Sequence, residues 1–182
     1  RKITPAGVVT TFAGSGTIGS ADGTGVAAQI SHPSGICIDV SGNLYVASKT
    51  AMKIRKITPA RVVTTLAGSG TRGSADGIGI AAQFNFPSGI CTDASGNVYV
   101  ADTWNNRIRK ITPSGVVSTL AGSTIGYTNG TGTAAKFNNP SGVCVDVSGN
   151  VYVADTGNNK IRMITPGQLV ITVAGSYQGS GD

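Results

Sequence analysis

The 182-residue chain contains no glutamate; all eight of its acidic residues are aspartates. Charged residues make up only 12% of the sequence, about half the usual share. There is one histidine, His32. A histidine metal site or a Ser-His-Asp triad cannot be assembled from it without unusual partners. No run of about 18 apolar residues occurs, which excludes a membrane-spanning helix. Hydrophobic residues reach 40% and glycine counts 27. This is too apolar for a disordered chain. Abundant Gly, Thr, Val and Ser with little charge favours strands and turns over helices. The chain opens in mid-pattern at Arg1-Lys2-Ile3. It therefore reads as a fragment or a processed product, and the missing leader says nothing about location.

What is present is a repeat. RKITPAGVVTTFAGSG begins at Arg1, RKITPARVVTTLAGSG at Arg55, RKITPSGVVSTLAGS at Arg109 and RMITPGQLVITVAGS at Arg162, in steps of 54, 54 and 53 residues. A second block keeps the same beat: HPSGICIDVSGNLYVAS, FPSGICTDASGNVYVAD and NPSGVCVDVSGNVYVAD. The chain divides accordingly. Residues 1–32 hold the last two strands of one copy and a connecting loop, and blade repeats follow at 33–86, 87–139 and 140–182. All of 1–182 forms a single arc.

One period reads as four strands: Gly89–Asp93, Val98–Ala101, Arg107–Ile111 and Val116–Leu120. Between them lie the turns Ala94-Ser95-Gly96-Asn97, Asp102-Thr103-Trp104-Asn105-Asn106 and Pro113-Ser114-Gly115. A connector of roughly 20 residues follows, and its Ala81-Ala82-Gln83-Phe84 piece reads as one helical turn. Four short antiparallel strands at this period suggest a β-propeller blade. Packing by a neighbour on each side explains strands that are apolar on both faces. A β-solenoid is the rival, but its coils have shorter periods and no such hairpin order. The fold class is thus all-β, about three and a half four-stranded blades, half of a six- or seven-bladed ring.

The series P-S-G-I-C-x-D-x-S-G-N-x-Y-V-A-D-T-x-N-N-x-I resembles the NHL repeat. It looks like the bacterial variety whose blades are joined by AGS…DG…A-A-x-F loops. The resemblance covers nearly the whole chain. It implies a propeller, and it leaves function open because such propellers serve many roles.

Gly14-x-Gly16-x-x-Gly19 has the spacing of a dinucleotide-binding loop. A turn follows it where that motif needs a helix. The match recurs as Gly68-x-Gly70-x-x-Gly73 and breaks at Ser123-Thr124, so it reads as a connector feature. Asp22-Gly23, Asp76-Gly77 and Asn129-Gly130 lack the closely spaced carboxylates of a strong calcium site. They read as turns in which Asp or Asn bonds its own backbone. No cofactor and no metal is expected.

Asp102 and Asp155 are expected to accept backbone N–H groups from the reversal that follows each. Asn105, Asn106, Asn158 and Asn159 would finish those turns. The first copy departs, reading Ser48-Lys49-Thr50-Ala51-Met52. Cys37, Cys91 and Cys144 share one position on the innermost strand, at a period that matches no zinc spacing. They read as buried free thiols that point the same way, with no disulfide. Trp104 and Tyr127 stand where the other copies have no such residue, so both are candidate partner contacts. Arg107 and Lys160 join them. They belong to a ladder of ten basic residues that repeats from blade to blade within a net charge of +6.

Three functions compete. The first is a non-enzymatic scaffold or binding module that self-associates through open blade faces. A homodimer closing a ring, or a longer parent chain, would supply the rest. The second is a piece of a hydrolase- or lyase-like propeller enzyme whose catalytic residues lie elsewhere. The third is RNA or polyanion binding by the basic ladder. Few aromatics lie beside the ladder to stack bases, and long side chains covering blade surfaces and meeting the repeated aspartates explain it as well. The resemblance implies a bacterial, secreted protein; the residues themselves leave the compartment open.

Overall fold

Short runs of Val, Ile and Thr, punctuated by Asp-x-x-Gly-Asn and Pro-x-Gly, favour antiparallel strands joined by tight turns. A computed structural model, which describes residues 1–175, has that organisation. Strands β1 (Lys2–Ile3) and β2 (Val9–Thr10) form a sheet of their own. Blade 1 contains β3 (Gly23–Thr24), β4 (Pro33–Ile38), β5 (Leu44–Ser48), β6 (Lys53–Ile57) and β7 (Val62–Ala67). Blade 2 contains β8 (Gly77–Ile78), β9 (Pro87–Thr92), β10 (Val98–Asp102), β11 (Arg107–Ile111) and β12 (Val116–Ala121). Blade 3 contains β13 (Gly130–Thr131), β14 (Pro140–Val145), β15 (Val151–Asp155), β16 (Lys160–Ile164) and β17 (Leu169–Ala174).

Each blade is a meander of four strands plus a fifth at its outer edge. The order in blade 2 is β8-β12-β11-β10-β9, all pairs antiparallel. The fifth strand was not expected from the sequence. It comes from the connector ahead of the blade, so a blade's sheet reaches back past its own inner strand. The helical turn also falls earlier than expected. It is a 3₁₀ turn at Gly79–Ala81, where Gly79 adopts φ +54°, and Ala82 and Phe84 follow it as extended, buried residues. The end of the third copy, 176–182, lies outside the described residues.

The first hairpin of each blade is set by an aspartate. Asp93 accepts hydrogen bonds from the Asn97 backbone N–H and side-chain amide, both at 2.8 Å, and from the Tyr99 hydroxyl at 3.0 Å. Gly96 takes the left-handed conformation that the turn requires. Asp39 and Asp146 do the same in their blades.

Blades stack face to face. One apolar cluster joins Tyr45, Ala47, Ile54 and Phe84 to Ile90, Val98 and Val100. The next joins Tyr99, Ala101, Ile108 and Phe137 to Val151, Val153 and Ile164. The inner strands β4, β9 and β14 run side by side. Ser34 Oγ donates to the Pro87 carbonyl at 3.1 Å, and Ser88 Oγ to the Ser141 carbonyl at 2.9 Å. A Cβ on Gly35 or Gly89 would lie far inside van der Waals contact with the carbonyl of Ser88 or Ser141. The Pro-Ser-Gly motif is therefore the point of closest approach between blades.

Candidate functional site

The repeated arginines were expected to cover blade surfaces and meet the repeated aspartates, or to form a basic rim; they do meet the aspartates, but in the interior. Arg55, Arg109 and Arg162 are fully buried. Arg109 donates to the Gln83 carbonyl (2.9 Å) and Asp102 Oδ2 (2.9 Å) through one terminal nitrogen. The other reaches the Ala75 carbonyl (3.0 Å) and Asp76 Oδ1 (2.6 Å). Its guanidinium carbon lies 5.2 Å from the centroid of the Phe84 ring. One side chain thus ties the connector to the sheet. Arg162 repeats the arrangement with Asp155 and Asn129.

This network revises two expectations. Asp102 does not cap the reversal that follows it. Its acceptors take the Asn85 backbone N–H, the Asn105 amide and Arg109. Burial pushes its carboxyl up, and these three donors oppose that by stabilising the anion. Asp155 holds the equivalent place with Asn138, Asn158 and Arg162. Asn106 and Asn159 adopt φ near +54° at the ends of the reversals. Asp22 and Asp76 do not bond their own turns either. Each pairs with a buried arginine and with the threonine of the outer strand, Thr65 or Thr119.

In the glycine loop, the amides of Gly14 and Ser15 donate to the carbonyls of Gly25 and Ala28. Those of Gly68 and Ser69 donate to Gly79 and Ala82. Amides committed to the connector cannot cradle a phosphate.

Trp104 lies on the 3₁₀ turn between β10 and β11 of blade 2 and is half exposed. Its ring stacks on Phe86 with centroids 3.9 Å apart, and the guanidinium of Arg72 lies 4.9 Å from the Phe86 ring centroid. Sequence reasoning missed Phe86 and Arg72. The available signal was a joint departure: Arg72, Phe86 and Trp104 stand where blade 1 has Ile18, His32 and Thr50, and blade 3 has Ile125, Asn139 and Gly157. His32 is exposed and bonded to Thr50. Tyr127 is exposed in a different connector. Arg107 is half-buried and donates to the Ser74 carbonyl, and Lys160 starts β16 on blade 3. These four residues are spread over separate elements.

The two ends of the arc differ from its interior. Ile54 and Ile108 are fully buried, while the equivalent Ile161 is 42% exposed. Ile90 is 6% exposed, whereas the equivalent Ile36 is 64% exposed. Cys37 and Cys91 are covered by the following blade, and burial pushes both thiols up to about 12. Cys144, expected to be buried like them, is exposed because it lies on the outward face of blade 3. On that face Ala154, Ile161 and Ala174 line a cavity of about 260 Å³. The equivalent residues of the other blades pack with Phe84 and Phe137.

Radial stacking of four-stranded meanders around adjacent inner strands defines the class: a β-propeller, present as an arc of blades. A family profile for the NHL repeat matches residues 84–111 and 137–162. Over 97 residues the chain is 38% identical to NHL repeat-containing protein 2 of Homo sapiens, which covers 50% of this chain and 13% of that protein. These matches support an NHL-repeat family, with the repeat itself matched in two segments of the chain. It resembles an auxiliary nutrient binding protein from Bacteroides ovatus with a TM-score of 0.67 at 20% identity, over 83% of this chain and 40% of that one. A gluconolactonase from Xanthomonas campestris gives 0.59 at 14% identity, over 80% and 48%. At these identities both likenesses concern the fold alone.

Proposed function

We propose that this chain is a non-enzymatic NHL-type propeller module that works by docking, and that a second copy of the chain is what its open blade faces take. The observation that carries this reading is the contrast between buried and exposed copies of one interface. The outward face of blade 3 presents Tyr152, Ala154, Ile161 and Ala174, whose equivalents Tyr99, Ala101, Ile108 and Ala121 are buried against the next blade. The opposite end presents Ile3, Val9, Ile36 and Ile38, each more than half exposed. Covering a large aliphatic side chain contributes roughly 1.5–3 kcal/mol. Contiguous faces of this kind drive association. The contact is head-to-tail, and it closes a ring only where the rotation allows it.

A docking role also fits the polar residues. The repeated aspartates are committed to arginine, threonine and turn amides, and the single histidine to Thr50.

Light scattering on the native chain tests the proposal. A mass of two or more chains, reduced to one by Ile161→Asp, supports it. A single-chain mass at all concentrations overturns it.

A further inference from the structure

Blade 2 differs from its neighbours at three positions that meet in space. It has Arg72, Phe86 and Trp104 where blade 1 has Ile18, His32 and Thr50, and blade 3 has Ile125, Asn139 and Gly157. A blade packs on each side of it, so the exposure of these residues owes nothing to the ends of the arc.

The exchange is unfavourable for the fold. In blade 3, Asn138 Oδ1 accepts from the Asn139 amide at 3.1 Å, and the Asn138 amide donates to the Gly157 carbonyl at 3.0 Å. Phe86 has no amide to give. Asn85 Oδ1, the equivalent of Asn138 Oδ1, is buried with no hydrogen-bond partner among the described residues. A buried acceptor left unpaired is destabilising. Phe86 also holds φ +53°, a left-handed conformation that suits Asn139, at +49°, better than a bulky ring. Stability therefore does not account for the trio, and strain of this kind gathers at binding sites.

Phe86 backs the indole, with ring centroids 3.9 Å apart, and Trp104 is 53% exposed. Arg72 flanks the pair, 4.9 Å from the Phe86 centroid and 5.8 Å from that of Trp104, and leaves the outer face of the indole open. Its guanidinium makes no hydrogen bond or ion pair among the described residues. The neighbouring carboxylate, Asp102, is fully buried and committed to Asn85, Asn105 and Arg109. The patch is thus a flat aromatic plate beside an unneutralised cation. Small polar groups border it. The reversal of blade 1, which reaches Phe86 through Met52, carries Thr50 bonded to His32. Asn139 of blade 3 reaches the Trp104 reversal at Asn106.

We propose that this patch binds an acidic oligosaccharide, with one pyranose ring on Trp104 and its uronate carboxylate on Arg72. The C–H face of a pyranose carries partial positive charge and suits the negative face of an indole. A carboxylate suits a planar guanidinium. Sugar hydroxyls suit the hydroxyl, imidazole and amide groups alongside. Nucleic acid fits less well, because a phosphate chain needs a track of cations and Arg55, Arg109 and Arg162 are interior. A peptide anchor fits less well, because it needs a pocket. Trp104 lines neither the blade 3 cavity nor the one walled by Phe12 and Ile36.

Trp104 is the only tryptophan of the chain, so its emission reports occupancy directly. The test is a fluorescence titration of the native chain with tetragalacturonate and with a hyaluronan tetrasaccharide, each alongside its uncharged methyl ester. The expected result is a saturable change in emission with one of the acids, weakened about tenfold or more for its ester and in Arg72→Ile. That variant installs the residue of blades 1 and 3 at an exposed position, so it should fold. Calorimetry then follows the double variant Phe86→Asn, Trp104→Gly, which carries the blade 3 pair. It should lose the binding and melt no lower than the native chain. No saturable change with either acid, equal binding of the ester, or binding that survives in the double variant overturns the proposal. An octa-aspartate peptide that binds where both sugars fail overturns it too, and assigns the patch to an acidic protein partner.

Discussion

Blade 1 and blade 2 have the same strands and close their second reversal by different chemistry. Blade 2 uses Asp102, Asn105 and Asn106; blade 1 has Ser48, Ala51 and Met52. In blade 2 the buried Arg109 faces two carboxylates, Asp102 and Asp76. In blade 1, Arg55 pairs with Asp22, while Ser48 donates to the Ser31 carbonyl at 2.7 Å. The residue ending the reversal has positive φ in both, and in both it reaches the next blade. Asn106 Oδ1 accepts from the Asn139 backbone N–H at 2.8 Å, and Met52 Sδ accepts from that of Phe86 at 3.3 Å. The guanidinium and the connector carbonyls are common to both blades, and the inner aspartate is the replaceable part. A buried arginine that already has an outer carboxylate and two carbonyls does not need a second anion, provided no other group was built to meet that anion.

The largest effect should come from making blade 2 resemble blade 1 at one position. Asp102→Ser leaves the Asn105 amide, the Asn85 N–H and part of Arg109 without their buried acceptor. Removing one partner of a buried pair costs roughly 3–5 kcal/mol. The reverse exchange in blade 1 should depend on how many residues move together. Ser48→Asp alone places a carboxylate where Ala51 offers no amide, and it should destabilise by about 1–3 kcal/mol. Adding Ala51→Asn and Met52→Asn supplies that donor and a residue that tolerates the left-handed conformation. Relief of the backbone strain alone is worth roughly 1–2 kcal/mol. The triple variant should therefore be more stable than Ser48→Asp, and the changes should be non-additive. Denaturant titration of the set decides. If Ser48→Asp alone stabilises, the inner aspartate needs no companions and the comparison fails.

The comparison also marks what could be read in advance. The period, the four meander strands and their turns follow from local signals: Asp-x-x-Gly-Asn, Pro-x-Gly and runs of β-branched residues. The fifth strand does not, because Gly23-Thr24 and Gly77-Ile78 have the composition of a loop and become strands only by pairing with β7 and β12. The pairing of the repeated arginines with the repeated aspartates is legible in the sequence, but their burial is not, since a charged residue amid a basic ladder reads as surface. They are inside because carbonyls and carboxylates 26 to 34 residues earlier in the chain return to meet them, a convergence no local pattern encodes. Trp104 stood out by being unique. Its partners Phe86 and Arg72 became visible only when the stacking showed which variable positions share a place.

A control sharpens the comparison, because the first hairpin turn is alike in both blades and should respond alike. Asp39 and Asp93 are partly desolvated, which opposes ionisation, but the amides of Asn43 and Asn97 and the hydroxyls of Tyr45 and Tyr99 prevail. They hold both carboxyls below the ordinary value of 3.8. A carboxyl lowered by folding contributes stability that is present above the ordinary value and lost as pH falls through the lowered one. Asp39→Asn and Asp93→Asn should therefore each cost stability at pH 7 and lose that cost in acid. Solvent screening at these exposed turns limits each effect to about a few tenths of a kcal/mol. Acid titration of thermal stability reads the difference. Matching curves for the two variants would confine the divergence between blades 1 and 2 to the second reversal. A larger acid response in blade 2 would mean that burial of Asp102 extends its influence to the neighbouring turn, and the two reversals would have to be treated as one coupled unit.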